Sequence, residues 1–247
     1  MIDLIRLELL KLRTTPAFYV TAAMAFLLSL VSAVTNVVLK PSAGDPPMGS
    51  SAHVHHVLSQ PSAVDSMAIF ILGIIVIAGE YRQRTILTTF LAEPRRLRVV
   101  VAKLLTTGVL GGLIAGVTYL ATLAVVTPLY AGKGVHHLPV DVVSLGLGTV
   151  LSGVCYGLLG VAVGALTRST VAAIVAGLIW MQVVEVAILE NAFPALARWL
   201  PVGAAQGLTS DDTVHFLSQN VAALVLVGWA AALVVVATRS STRRELR

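Results

Sequence analysis

Long uncharged apolar runs dominate the chain, separated by short stretches where charge, proline and glycine gather. A membrane-spanning helix needs roughly 20 mostly apolar residues, and six runs meet that length. Ala17 to Leu39 is free of charge and amounts to about 34 Å of helix. The others are 61–79, which carries Asp65 near one end, then 104–130, 142–167, 170–189, interrupted by Glu185, and 221–238. The pattern predicts an all-α integral membrane protein with six transmembrane helices in one domain covering residues 1–247.

The segments between the runs have their own patterns. In residues 2–13 Ile2, Ile5, Leu9 and Leu12 share one helical face, Arg6 and Arg13 lie off it, and Glu8 can pair with Lys11 three residues on. This predicts an interfacial helix lying on the cytoplasmic leaflet. The first apolar run exceeds the length of a signal-peptide core and no small-residue cleavage site follows it, so it is expected to remain as a helix. Residues 40–60, rich in Pro, Gly and Ser, read as an outer loop, as do 131–141. In 190–210 the apolar stretch is broken by Pro194 and Pro201. It is expected to re-enter the outer interface as short helical pieces, with Trp199 at headgroup depth. Glycines at fourfold spacing (Gly108, Gly112, Gly116, then Gly153 with Gly157 and Gly160 with Gly164) predict helix backbones in close approach.

Composition agrees with this picture. Of 247 residues 57% are hydrophobic and 12% charged, whereas a soluble domain carries about 25% charged residues. The formal charge of +5 would suit a nucleic-acid partner, but the basic residues are dispersed at the ends of apolar runs, where they set orientation instead. With both termini in the cytoplasm, only Lys40, Lys133 and Arg198 of the 17 lysines and arginines lie outside. That places the chain in a cell membrane, with no nucleic acid as partner.

Candidate chemistry is sparse. The single cysteine, Cys155, sits inside an apolar run, which excludes an internal disulfide framework and a cysteine-rich metal site. No G-x-x-x-x-G-K-S/T loop, H-E-x-x-H or G-x-S-x-G occurs, so no catalytic residue and no nucleotide site is assigned. His53, His55, His56, His136 and His137 could hold copper or zinc, but they fall in outer loops without helical spacing, and no metal is assigned to them. Glu185 is the carboxylate deepest inside a run. Such a charge costs about 2.5–3.5 kcal/mol on insertion scales, so it should face protein or a water-filled path. Gln182, three residues earlier, is expected on its face, and the two are the candidates for a translocation pathway. Asp65 is read as shallower and hydrated.

The most informative stretch is 79–105, GEYRQRTILTTFLAEPRRLRVVVAKLL. Thr85, Ile86, Leu87, Phe90 and Leu91 are too apolar for a plain solvated loop, and a short apolar-and-basic helix there predicts a docking partner. The order of residues (Glu80, then Arg82 and Arg84, Thr85–Ile86, Leu87, Pro94–Arg95–Arg96 and Lys103) resembles the first intracellular loop of ABC-2 type exporter permeases. ELLKLRTTPAFY at 8–19 is similar to that family's entry into its first span, and WLPVGAAQGL at 199–208 to its segment before the last span. The three stand in the family's order, and with six spans and both ends inside the resemblance covers the whole chain. Arg84 is a departure, since many members carry glycine before the threonine.

The resemblance implies the transmembrane subunit of an ATP-binding cassette exporter in a bacterial plasma membrane. Such a subunit is no enzyme itself and has no cofactor of its own, because ATP and Mg are bound by a partner ATPase. It pairs with a second permease copy or a homologue. Residues 82–91 would be a coupling helix docking on the ATP-binding subunit, with Glu80, Arg82, Arg84, Thr85, Ile86, Leu87, Phe90 and Leu91 as its coupling residues. The implied activity is efflux of an amphipathic or lipophilic substrate, a drug, peptide or lipid. Two other readings remain: a non-transporting scaffold or sensor, and an intramembrane enzyme, which would need more converging polar residues than the spans hold.

Overall fold

The computed structural model describes residues 10, 16–39, 47–83, 96–135, 137–210 and 216–243, and no strand occurs among them. Four long helices come first: α1 (Pro16–Val38), α2 (Ser51–Gln83), α3 (Arg96–Ala131) and α4 (Val142–Thr167). Helix α5 (Thr170–Leu178) passes without a break into a π-helix, Ile179–Leu189, and a last turn, Glu190–Ala192. Two short helices follow, α6 (Pro194–Ala197) and α7 (Pro201–Thr209), and then the long α8 (Gln219–Arg243). Among the described residues six helices are long and apolar enough to cross a membrane. The chain is an all-helical, multi-pass membrane protein. The proposed interfacial helix, residues 2–13, lies outside the described residues apart from Leu10, which is helical.

Two helices begin earlier than the apolar runs suggest. Residues 51–60, read from composition as loop, are the first turns of α2. Val54, Val57 and Leu58, at i, i+3 and i+4, are fully buried there, an amphipathic stripe hidden among serines and histidines. Helix α3 likewise starts at Arg96, so Lys103 lies two turns inside it and is buried.

Helix α4 is the centre of the bundle and packs on α2, α3 and α8. It can do so because its glycines let backbone meet backbone. A Cβ on Gly153 would stand 2.7 Å from Ala115 Cβ and collide with the Gly111 carbonyl, and one on Gly111 would lie 2.5 Å from the Gly153 carbonyl. One on Gly160 would strike the Phe70 carbonyl and come within 3.0 Å of Gly73 Cα. The fourfold glycine spacing thus serves packing within this chain. Gly108, Gly112 and Gly116 meet mainly side chains of α4, those of Val150, Val154 and Leu158, while Gly111 and Gly73 come up against α4 backbone. Outward faces carry the opposite character: Met24, Leu27 and Val31 on α1, Val109, Leu113 and Val117 on α3, and Leu224 on α8 are exposed. Stripes of that size are a liability in water and are the ordinary lipid-facing surface in a bilayer.

Polar groups tie the helix ends. Asp141 caps α4, its Oδ1 accepting from the Val143 and Ser144 amides at 3.1 and 3.2 Å. Tyr119 OH on α3 donates to Val142 O at 2.6 Å. After α4 the chain turns at Arg168 (φ 54°), and Ser169 caps α5 by accepting from the Ala172 amide at 3.4 Å. Lys133 Nζ donates to the Val37 carbonyl, placing a cation at the C-terminal end of α1. Gln219 joins three elements: Ser144 Oγ donates to its Oε1 at 2.5 Å, and its Nε2 donates to Ser144 O at 2.9 Å and Leu208 O at 3.2 Å. Helix α7 is thereby held against the starts of α4 and α8.

Candidate functional site

Between the Ser51 half of α2 and the π-helix lies an open cleft of about 840 Å³. Its origin can be followed along α5. At Gly177 the absence of a side chain lets the Phe70 ring of α2 lie directly on the backbone, so α5 and α2 touch. Two residues later, at Ile179, the winding changes from α to π. Gln182 Nε2 donates to Met67 Sδ at 3.3 Å. Helix α7 packs against both the π-helix and α2. Tyr156 and Met181 line the depth of the cleft, and Asn36 of α1 with His55 and Gln60 of α2 line its Ser51 end.

Gln182 therefore stands on the cleft wall, as a pathway residue would, but Glu185 does not share its face. Glu185 is 1% exposed, and its Oε2 accepts from the Val202 amide at 2.8 Å. Residues three apart lie on one face of an α-helix, whereas the i→i+5 winding turns them further from each other. The carboxylate caps α7 from behind the wall. Pro201, which has no N–H to offer, occupies the first position of that helix, so Val202 supplies the first free amide. Neither a water-facing carboxylate nor a cleft-lining one, Glu185 holds in place a helix whose own Val202, Ala205 and Gln206 line the cleft.

His53, His55 and His56 belong to this region, in the first turns of α2, rather than to a loop. His137 does lie in the 131–141 loop, and His136 is outside the described residues. His53 and His55 are buried in the first turns of α2, and His53 Nδ1 lies 2.7 Å from Tyr130 OH at the end of α3. His56 Nε2 is 3.4 Å from Gln60 Nε2. Among the described residues no three His, Cys, Asp or Glu side chains converge in a way that could hold a metal ion.

Asp65 was read as hydrated and is not. It is 1% exposed, and Ser29 Oγ of α1 donates to its Oδ1 at 2.9 Å, while Thr118 of α3 lies against it. One residue on, Ser66 and Ser152 Oγ are 3.0 Å apart, tying α2 to α4. The hydropathy pattern concealed this cluster because one carboxylate and scattered hydroxyls barely lower the mean of an apolar run. Asp65→Asn is expected to leave stability unchanged or improve it, since the amide oxygen still accepts from Ser29 and no charge is buried. Asp65→Leu should lose about 1 kcal/mol with that bond, measured by detergent-titration unfolding of the two variants side by side.

Of the residues assigned to coupling, Glu80 and Arg82 fall in the last turn of α2. Arg84, Thr85, Ile86, Leu87, Phe90 and Leu91 lie outside the described residues. Cys155 is buried in the core beside Tyr156. Comparison with protein-family models, with curated proteins and with solved structures finds no match.

Proposed function

We propose that the chain is the permease subunit of an ATP-driven exporter of the ABC-2 type, moving an amphipathic or lipophilic substrate out of the cytoplasm. A separate subunit binds ATP and Mg and hydrolyses the nucleotide, and a second permease copy or homologue completes the transmembrane unit. The observation that carries the reading is the cleft of about 840 Å³ inside a helical membrane bundle, walled on one side by α2. A scaffold needs no such volume, and α2 leads directly into the 79–105 stretch whose residue order resembles the family's coupling loop. The chain has no nucleotide motif, so active transport needs an outside source of energy.

Orientation is tested first. A cysteine at Ser50 or Ser210 should react with an impermeant maleimide added to intact cells, and one at Gln83 or Ser241 should not. Labelling at Gln83 from outside would end the six-span, termini-inside arrangement.

Coupling is tested by co-purification. In this reading Phe90 is the aromatic anchor of the docking helix, with Arg82 and Arg84 on its rim. Truncating a buried anchor costs about 2 kcal/mol or more, so Phe90→Ala should lower recovery of the ATPase roughly thirtyfold. Arg82→Ala and Arg84→Ala should act more weakly and more so at low salt. If Ile86, Leu87 and Phe90 are replaced together and the ATPase still co-purifies with full turnover, the coupling helix is not there.

A further inference from the structure

We infer that the cleft beside the π-helix is a binding site for an electrically neutral amphiphile, a hydroxyl- or amide-rich head on a single hydrocarbon chain. The inference deepens the exporter reading by naming a ligand class.

The first ground is charge. Among the described residues lining the cleft there is no Lys, Arg, Asp or Glu, in a chain that has 17 basic and 12 acidic residues. The titratable side chains there are His53, His55, His56 and Tyr156. A charged head drawn deep into it would be desolvated with no permanent counter-charge, at a cost of several kcal/mol.

The second ground is the state of the two helix ends at the cleft. A helix N-terminus commonly receives a phosphate or carboxylate, but at each end here one amide is already taken by a side chain of the protein. The Glu185 carboxylate takes the Val202 amide of α7, and Ser50 Oγ takes the His53 amide of α2 at 3.2 Å.

The third ground is the lining itself. Asn36, Gln60, Gln182, Gln206 and Thr209 offer neutral donors and acceptors. Met67, Met181 and Val186 give the same cleft an apolar side for a hydrocarbon chain. Its volume lies within the range of about 300–1,000 Å³ that holds one drug-sized molecule.

Binding is measured on the chain alone in lipid nanodiscs, with no ATPase present, so that its failure is separate from failure of the coupling test. Ala63, exposed and on the cleft wall, becomes the reporter as Ala63→Cys. Cys155 is 2% exposed and should stay silent. The rate of maleimide labelling is followed with octyl glucoside, octyltrimethylammonium or octyl sulfate, each below its micelle concentration. Octyl glucoside should slow labelling about fivefold or more, and the two ions less than about twofold, because a desolvated charge forfeits at least a factor of ten in affinity. Thr35→Trp, from the exposed end of α1, and Ala205→Trp, from α7, each set a bulky ring into the cleft and should weaken the protection. Either variant suffices if the other does not fold. Equal protection by all three amphiphiles, no protection by any, or protection undiminished by both tryptophans would each overturn the proposal.

Discussion

Gly160→Ala should strip the bundle of its central contact although it adds only one methyl group. The new Cβ meets the Phe70 carbonyl and the Gly73 Cα, which are backbone atoms, so no side chain can swing aside. Helices α2 and α4 must separate along their length, and overpacking on this scale costs roughly 3 kcal/mol. The contact lies between helices that lipid does not drive together, so close packing is most of what holds them. Gly228→Ala on α8 is the control, since nothing stands within 4 Å of that position. It should be neutral or stabilising by up to about 1 kcal/mol. Unfolding midpoints of the two variants in a denaturing-detergent titration give the comparison. Equal midpoints would mean that the α2–α4 contact does not carry the fold.

That contact also shows how far the sequence could be read. Spacing alone marked Gly153, Gly157, Gly160 and Gly164 as a close-packing stripe, because one helix face is legible from one helix. Its partners Gly73 and Gly111 were not singled out, because which faces meet is a property of two segments far apart in sequence. Helix α4, Val142–Thr167, occupies the uncharged run at 142–167, where local pattern and burial agree. Helix α2 begins ten residues ahead of its apolar run because His53, His55 and Gln60 line the cleft, so a helix there has a polar face that hydropathy reads as loop. The π-helix leaves no pattern in IWMQVVEVAIL that would distinguish it from α. Gln182 and Glu185 were accordingly placed on one face, and the capping role of Glu185 was out of reach without α7.

The second large effect is expected at Glu185. Glu185→Leu leaves the Val202 amide without its acceptor and α7 without its cap, a loss of about 2–3 kcal/mol by the cost of an unmade buried bond and a missing cap together. Glu185→Gln keeps an amide oxygen in the same place and should stay within about 1 kcal/mol of the parent. Hydrogen exchange at the amides of Val202–Thr209 separates this from a general loss of stability. Glu185→Leu should speed exchange there while the amides of α4 stay protected. If Glu185→Gln loosens α7 as much as Glu185→Leu does, the charge and not the acceptor holds the helix. If neither variant does, the cap is not what holds α7.

Helix α2 has 33 residues, a rod about 50 Å long in a hydrocarbon layer about 30 Å thick. Gly73 and Phe70, where it bears on α4, lie near its middle, the cleft-lining His55 and Gln60 on one arm and Glu80 and Arg82 at the tip of the other. Such a rod behaves as a see-saw whose fulcrum is a point of bare backbone. A rocking motion of 10° about that point would carry the Ser51 tip about 5 Å and the Gln83 tip about 3 Å, in opposite directions. The cleft would widen or narrow as the far end is pushed, without any bend in the helix between them.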